Sequence, residues 1–166
     1  IVVCGMGGSG IVGDVLRDVL ESCHVFVSKD YVLPKWVDGL TFVVSYSGNT
    51  EETISMSKQA LRRGMDVVCV TSGGRLARLA MKKRLPLLRV PQGLLPRMAF
   101  PYMFFPVLRV VKELGIVKRV GMRETLRILS RLRKKLKVDA KQNPAKAIAK
   151  RVYGRVPLVY AHTFYG

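Results

Sequence analysis

Three hydroxyl side chains, those of Ser45, Ser47 and Thr50, lie close together in the sequence and share their stretch with Gly48. The stretch follows an apolar run at residues 42–44 and precedes a segment with helical character. The first turn of a helix presents unpaired N–H groups and the positive end of the helix dipole, so it attracts a phosphate group. Glycine lets the backbone approach such a ligand closely, and hydroxyl groups donate hydrogen bonds to its oxygens. These residues therefore predict a phosphate-binding turn.

The same stretch allows a second interpretation, in which its polar residues only cap the helix. Asn49 would be the N-cap residue, and Glu52 would complete a capping box. Motifs of this length also occur in turns that bind nothing, so both interpretations stay open on this stretch alone.

Two further turns are rich in glycine and polar residues. Residues 5–10 read G-M-G-G-S-G, which matches G-x-G-x-x-G, and residues 71–74 read T-S-G-G. Both follow apolar runs typical of buried parallel strands. Ligands of open α/β sheets bind at the carboxyl edge of the strands, where these turns would lie. Three polar turns at one edge favour a compact phosphate ester, which can contact several of them at once.

A dinucleotide is the competing ligand. The match at residues 5–10 would bind its pyrophosphate, and Asp30, after the second apolar run, could bind a ribose hydroxyl. A nicotinamide-dependent oxidoreductase therefore remains an alternative to a phosphosugar protein.

Arg97 follows Pro96 at the predicted start of a helix. A cation in the first turn of a helix is unfavourable to the helix dipole. Its charge should therefore be compensated by an anion, which could be a bound ligand or an acidic side chain on the surface.

The elements that must position these residues follow a repeated order of strand, turn and helix. Strands are predicted at residues 1–4, 25–27, 41–45, 66–70 and 86–90, and helices at residues 9–22, 50–63, 74–81 and 97–115. This alternation predicts an α/β fold with a doubly wound, parallel, five-stranded sheet.

The basic residues are unevenly distributed along the 166-residue chain, whose net charge is +18. Residues 1–74 hold 6 basic and 8 acidic residues, whereas residues 75–166 hold 23 and 3. Four of these 23 basic residues share one face of an amphipathic segment at 121–137: Arg123, Arg127, Arg131 and Lys134. Because stacking aromatic residues and nucleic-acid motifs are lacking there, we expect a solvated or acid-facing surface and no specific nucleic-acid partner.

The amino-acid composition excludes several classes of protein. A hydrophobic content of 49% excludes a disordered chain, and no apolar run is long enough to predict a membrane partner. The three cysteines have no metal-ligand spacing, so we expect no metal and a cytoplasmic protein. His24 is interpreted as structural, and His162 has no serine or cysteine partner for a catalytic triad.

The sequence predicts three regions: a phosphate-binding domain at residues 1–120, a helical connector at 121–155 and the first strand of a second domain at 156–166. Because the chain opens inside a strand pattern and closes soon after another, we expect it to be a fragment of a longer protein.

Four motifs in this order resemble the sugar-isomerase (SIS) domain family, and most closely its archaeal-type bifunctional phosphoglucose/phosphomannose isomerases. The matching motifs are Gly5-Met6-Gly7-Gly8-Ser9-Gly10, Ser45-Tyr46-Ser47-Gly48-Asn49-Thr50, Thr71-Ser72-Gly73-Gly74 and Pro96-Arg97-Met98-Ala99-Phe100-Pro101. The resemblance covers residues 1 to about 115 and implies a flavodoxin-like domain that would be the first of two in tandem. A phosphosugar-sensing domain of a regulator is the second function that the family allows.

The resemblance also implies roles for individual residues. The phosphate would be bound by Gly8, Ser9, Ser45, Ser47 and Thr50. Arg97 would stabilise the enediolate formed as glucose 6-phosphate or mannose 6-phosphate is converted to fructose 6-phosphate. The reaction would need no cofactor, and the full-length protein would be a homodimer. The family's catalytic glutamate and ring-opening histidine would lie in the second domain, so those roles are not assigned to Glu51, Glu52 or His162, and the fragment alone is expected to be inactive.

Overall fold

The computed structural model describes residues 1–20, 23–117 and 121–158. The chain divides into two compact units, residues 1–119 and 120–166. Each unit is described by itself.

The first unit is built on a five-stranded sheet in which every pairing is parallel. Its strands are β1 (Val2–Cys4), β2 (Phe26–Ser28), β3 (Thr41–Val44), β4 (Val67–Thr71) and β5 (Leu87–Arg89). Their order is β2-β1-β3-β4-β5, and Val3 of the central β1 is in register with Val27 and Phe42. This is the flavodoxin-like order, in which the chain reverses direction across the sheet between β1 and β3. The predicted fold class is confirmed.

Helices cover both faces of this sheet. They are α1 (Gly7–Val19), α2 (Glu51–Arg62), α3 (Gly74–Lys83) and α4 (Phe100–Glu113). The apolar runs of the strands are buried between them, and Leu16, Met56 and Val107 are among the fully buried side chains. Continuous apolar strands are typical of parallel sheets that are covered on both faces.

The predicted strands and helices agree with the structure to within two residues, apart from two helices. The helix predicted at residues 9–22 ends at Val19, and its residues 21 and 22 lie outside the described part of the chain. The second exception is the helix predicted at residues 97–115. That segment is a short 3₁₀ helix, Pro96–Met98, followed by α4 from Phe100. The cause is Pro101, whose ring would clash with the carbonyl group of Arg97 if one continuous α-helix ran through both residues. Proline fits best in the first turn of an α-helix, so α4 begins at Phe100, although it accommodates Pro106 further along.

The second unit contains two helices, α5 (Met122–Lys135) and α6 (Pro144–Val152). The side chain of Asn143 caps α6, because its Oδ1 accepts hydrogen bonds from the N–H groups of Ala145 and Lys146 at 2.9 and 3.3 Å. Residues 156–158 belong to no regular element, and the rest of the strand predicted at 156–166, with His162, lies outside the described residues.

None of the helices in the described part of the chain is both long enough and apolar enough to cross a membrane.

Two of the three cysteines are held in the sheet, which gives a simple test of the fold. Burial raises the pKa of Cys4 to about 12 and that of Cys69 to about 11, whereas Cys23 is partly exposed. Because the thiolate is the reactive form, a thiol reagent at pH 8 should label Cys23 quickly and the other two only after unfolding in guanidinium. A Cys23→Ser variant is the control and should show no fast labelling. Fast labelling of two or three thiols in the native chain would contradict the burial of β1 and β4.

Candidate phosphate-binding site

A cavity of about 180 Å³ lies between the β1–α1 and β3–α2 turns. It is lined by Met6, Gly8, Ser9, Tyr46, Ser47, Thr50 and Pro96. This is the carboxyl edge of the sheet at the point where the strand order reverses, which is the usual ligand position in such folds. Pockets for drug-sized ligands measure roughly 300–1,000 Å³, so this cavity suits one end of a ligand.

Four of the five predicted phosphate-binding residues line this cavity: Gly8, Ser9, Ser47 and Thr50. The Ser9 hydroxyl accepts a hydrogen bond from the Tyr46 N–H at 3.2 Å and donates to the Sδ of Met103 at 3.7 Å. The first contact links the two turns directly, so the hydroxyl groups of both turns face one space.

Ser45, the fifth predicted residue, is fully buried and does not line the cavity. Its Oγ accepts a hydrogen bond from the Gly48 N–H at 3.1 Å and shares another with the Oγ1 of Thr50, 3.0 Å away. Ser45 therefore holds Thr50 and the turn in place from behind the cavity wall. Direct contact between Ser45 and a phosphate group stays a prediction.

The capping box that was the alternative interpretation of the start of α2 is not formed. Thr50 is the N-cap residue, and no side chain caps the helix. The Oδ1 of Asn49 instead accepts a hydrogen bond from the Arg75 N–H, in the first turn of α3, at 3.1 Å. Because the Asn49 side chain is hydrogen-bonded to α3, the N–H groups in the first turn of α2 have no side-chain partner among the described residues. An anion site requires such free N–H groups.

The third polar turn, residues 71–74, was expected to contact the same ligand, but none of its residues lines the cavity. It supports the β3–α2 turn instead. The Ser72 N–H and hydroxyl both donate to the Tyr46 carbonyl, at 3.0 and 2.7 Å, and the Leu76 N–H donates to the Gly48 carbonyl at 2.9 Å. Gly48 has a φ of +67°, and a Cβ at this position would overlap the carbonyl oxygen of Gly73. The two turns therefore approach closely enough that only glycine fits between them.

Arg97 lies in the 3₁₀ helix next to Pro96, which lines the cavity, but Arg97 itself is exposed and is not part of the lining. No ion pair or hydrogen bond joins its side chain to another residue within the described ranges. The acidic surface partner that was one explanation of its charge is thus not present among those residues. Its predicted role toward the substrate stays a prediction.

Two carboxylates, Glu51 and Glu52, lie in the first turn of α2, where they favour the helix dipole. Their negative charge raises the pKa of the exposed Tyr31 phenol, with Glu52 making the larger contribution. Neither carboxylate lines the cavity. Their negative charge therefore acts on Tyr31, which is outside the cavity lining.

The residues of the dinucleotide hypothesis do not meet at this cavity. Asp30 is exposed, does not line the cavity, and accepts a hydrogen bond from the N–H of Tyr31 at 2.5 Å. The lining residues that the site prediction missed are Met6, Tyr46 and Pro96. All three belong to the matched motifs, and no other feature of the sequence indicates that they line the cavity.

Comparison with known proteins gives relatives over nearly the whole chain, although no protein-family model matches it. The bifunctional phosphoglucose/phosphomannose isomerase of Caldicellulosiruptor bescii is 40% identical and covers 96% of the chain, and that of Aquifex aeolicus is 39% identical and covers 97%. The D-glucosamine-6-phosphate 4-epimerase of Sulfolobus acidocaldarius is 35% identical over 97% of the chain. The chain spans about half the length of these relatives, from 49% to 51%.

Solved structures share the fold at lower identity. A hypothetical protein from Thermus thermophilus has a TM-score of 0.69 and 17% identity, with 92% of this chain and 40% of that chain covered. The Vibrio vulnificus NanR protein complexed with ManNAc-6P has a TM-score of 0.51 and 24% identity, with 69% and 48% covered. The sequence relatives are the stronger finding: over about half of their length, the chain is similar to bifunctional phosphoglucose/phosphomannose isomerases, which confirms the resemblance drawn from its motifs.

Proposed function

We propose that this chain binds the phosphate group of a hexose 6-phosphate and is the phosphate-binding half of an aldose–ketose isomerase. The substrates would be glucose 6-phosphate and mannose 6-phosphate, and the product fructose 6-phosphate. The observation that carries the proposal is the cavity between β1 and β3, lined by Gly8, Ser9, Ser47 and Thr50. The names of the relatives support the reaction class.

The geometry suits a phosphate group for three reasons. The starts of α1 and α2 both lie at this edge, and neither has a side-chain cap, so backbone N–H groups remain for an anion. The Ser9, Ser47 and Thr50 hydroxyls add donors that can rotate toward its oxygens. The volume of about 180 Å³ leaves the sugar carbons outside the cavity, where other groups can reach them.

The isomerisation moves a proton between C1 and C2 of the open-chain sugar through an enediolate. Negative charge develops on the substrate oxygens in this step, and a fixed cation beside them stabilises the transition state. Arg97 is the residue proposed for this role, because its guanidinium has no partner among the described residues and its neighbour Pro96 lines the cavity. The base that moves the proton is not assigned to any residue of this chain.

Epimerisation of a hexosamine 6-phosphate is the second candidate. It is favoured by the D-glucosamine-6-phosphate 4-epimerase, whose identity to this chain, 35%, is close to that of the isomerases. Both candidates use the same phosphate site and differ in the groups that meet the sugar. The regulator and the dinucleotide-binding protein have no comparable support, since the NanR likeness concerns the fold alone.

A cytoplasmic location and a homodimer belong to the same proposal. The location is supported by the three free cysteines, Cys4, Cys23 and Cys69, which fit a reducing compartment. The homodimer rests on the family resemblance and stays a prediction.

Calorimetry on the chain tests the ligand class. Fructose 6-phosphate should bind, inorganic phosphate should compete with it, and fructose without phosphate should bind at least about tenfold more weakly, because charge-assisted hydrogen bonds to the phosphate are lost. NAD is the control for the dinucleotide alternative and should not bind. Tight NAD binding without sugar-phosphate binding would refute the proposal. Assays of the full-length gene product with glucose 6-phosphate, mannose 6-phosphate and glucosamine 6-phosphate then separate the isomerase from the epimerase.

A further inference from the structure

Tyr46 connects the candidate site to the loop of residues 91–95, which leads from β5 to Pro96. Its hydroxyl accepts a hydrogen bond from the Leu94 N–H at 2.8 Å and donates one to the Pro91 carbonyl at 3.2 Å. One phenol thus satisfies a backbone donor and a backbone acceptor on opposite sides of the same loop. Because surface loops are more mobile than the elements that they connect, these two contacts limit the movement of the loop.

The backbone of Tyr46 is itself fixed on both sides. Its N–H donates to the Ser9 hydroxyl at 3.2 Å, and its carbonyl accepts from the Ser72 N–H and hydroxyl at 3.0 and 2.7 Å. The residue is therefore joined to the β1–α1 turn, to the β4–α3 turn and to the loop. It also lines the cavity.

The loop has few other attachments. Pro91, Gln92 and Gly93 are exposed, and the side chain of Gln92 donates to the Ser72 carbonyl at 2.8 Å. Pro96 follows at the cavity and Arg97 after it, in a 3₁₀ helix whose first turn closes with the Met98 N–H donating to the Leu95 carbonyl at 2.8 Å. A movement of the loop would therefore carry Pro96 and Arg97 with it.

We propose that Tyr46 is a positioning residue: its hydroxyl fixes the loop of residues 91–95 and so sets where Pro96 and Arg97 stand relative to the phosphate site. This inference rests on the proposed function, because the position of Arg97 matters only if a hexose 6-phosphate is bound at the site. A misplacement of about 1 Å at a reacting group can lower a rate roughly 10²-fold, so even a small loop movement would be measurable.

Tyr46→Phe tests this with little change in shape, because it removes only the hydroxyl. In the chain, amide hydrogen exchange at Leu94 should become about tenfold faster, on the scale of one lost hydrogen bond, and the Arg97 amide resonance should shift. Affinity for fructose 6-phosphate should stay within about twofold, since the phosphate-binding hydroxyls are unchanged. Tyr102→Phe is the matched control, because Tyr102 is 49% exposed and its hydroxyl has no partner within the described residues.

In the full-length gene product, Tyr46→Phe should lower kcat about tenfold with KM nearly unchanged, and Tyr102→Phe should change neither. A residue that serves stability alone would lower the melting temperature and leave kcat as it was. Gln92→Ala, which removes the other loop contact, should give a smaller effect in the same direction. If it gives an equal or larger effect, the positioning role belongs to Gln92 and the proposal is wrong.

The outcomes test the positioning role of Tyr46 separately from the proposed function. Unchanged Leu94 exchange in Tyr46→Phe, or faster exchange with an unchanged kcat, overturns the positioning role and leaves the phosphosugar site intact. If the wild-type protein neither binds nor converts hexose 6-phosphates, the proposed function is wrong. The Leu94 exchange and the Arg97 resonance then still decide whether Tyr46 sets the position of this segment.

Discussion

Replacing Arg97 by alanine is expected to lower kcat by roughly 10²–10³, the loss seen when one donor to a developing oxyanion is removed. The guanidinium is proposed to meet a charge that exists only once the enediolate forms, so the effect should appear in kcat more than in KM. Glucose 6-phosphate and mannose 6-phosphate should be affected alike, because both pass through the same enediolate. Steady-state kinetics of the full-length gene product with both substrates measures this.

Ser47→Ala is the matched variant for the phosphate end of the substrate. Ser47 lines the cavity, and within the described residues its Oγ accepts one hydrogen bond, from the Asn49 N–H at 3.2 Å. Loss of this hydroxyl should weaken the binding of the substrate and of the transition state equally, which raises KM and changes kcat little. Since the Arg97 side chain is exposed and has no hydrogen bond or ion pair with another described residue, Arg97→Ala should leave the melting temperature nearly unchanged. Wild-type kcat in Arg97→Ala would show that this arginine does not act on the enediolate.

The fold could be predicted from the sequence because its signals are local. The apolar runs located the five strands of the sheet, and β1, β3 and β4 end in the polar, glycine-rich turns. Parallel strands must place such turns at one edge. Convergence of Ser9 with Ser47 and Thr50 followed from that rule, without any knowledge of the strand order.

What the sequence could not predict depends on partners that are distant along the chain. Asn49 fits a capping box by local rules, but the Arg75 N–H of the next helix takes its side chain. Ser45 has the same hydroxyl as Ser47, but only the folded β3–α2 turn shows that Ser45 is buried against the Gly48 N–H and that Ser47 lines the cavity. The contact of Tyr46 with Leu94 joins segments 48 residues apart, and no spacing in the sequence indicates it.

Gly48→Ala is expected to destabilise the chain by about 3 kcal/mol or more. About 1–2 kcal/mol comes from placing an L-residue in the left-handed region, since φ is +67° here. The rest comes from the Gly73 carbonyl, which the new methyl group would overlap and displace. Moving the two turns apart would also break the hydrogen bond from the Leu76 N–H to the Gly48 carbonyl, worth about 1 kcal/mol. The same movement would displace Ser47, so binding of fructose 6-phosphate should fall with stability.

Gly64→Ala separates the cost of conformation from the cost of packing. Gly64 follows the other end of α2 with a nearly identical φ of +73°, but a Cβ there would meet no atom within 4 Å. We expect this variant to lose only the conformational part, about 1–2 kcal/mol, and to bind fructose 6-phosphate as the wild type does. Denaturant unfolding followed by circular dichroism, with calorimetry for the ligand, measures both quantities. Equal losses of stability in the two variants would mean that the β3–α2 and β4–α3 turns are not packed together in solution as closely as Gly48 and Gly73 indicate, because only that contact distinguishes the two glycines.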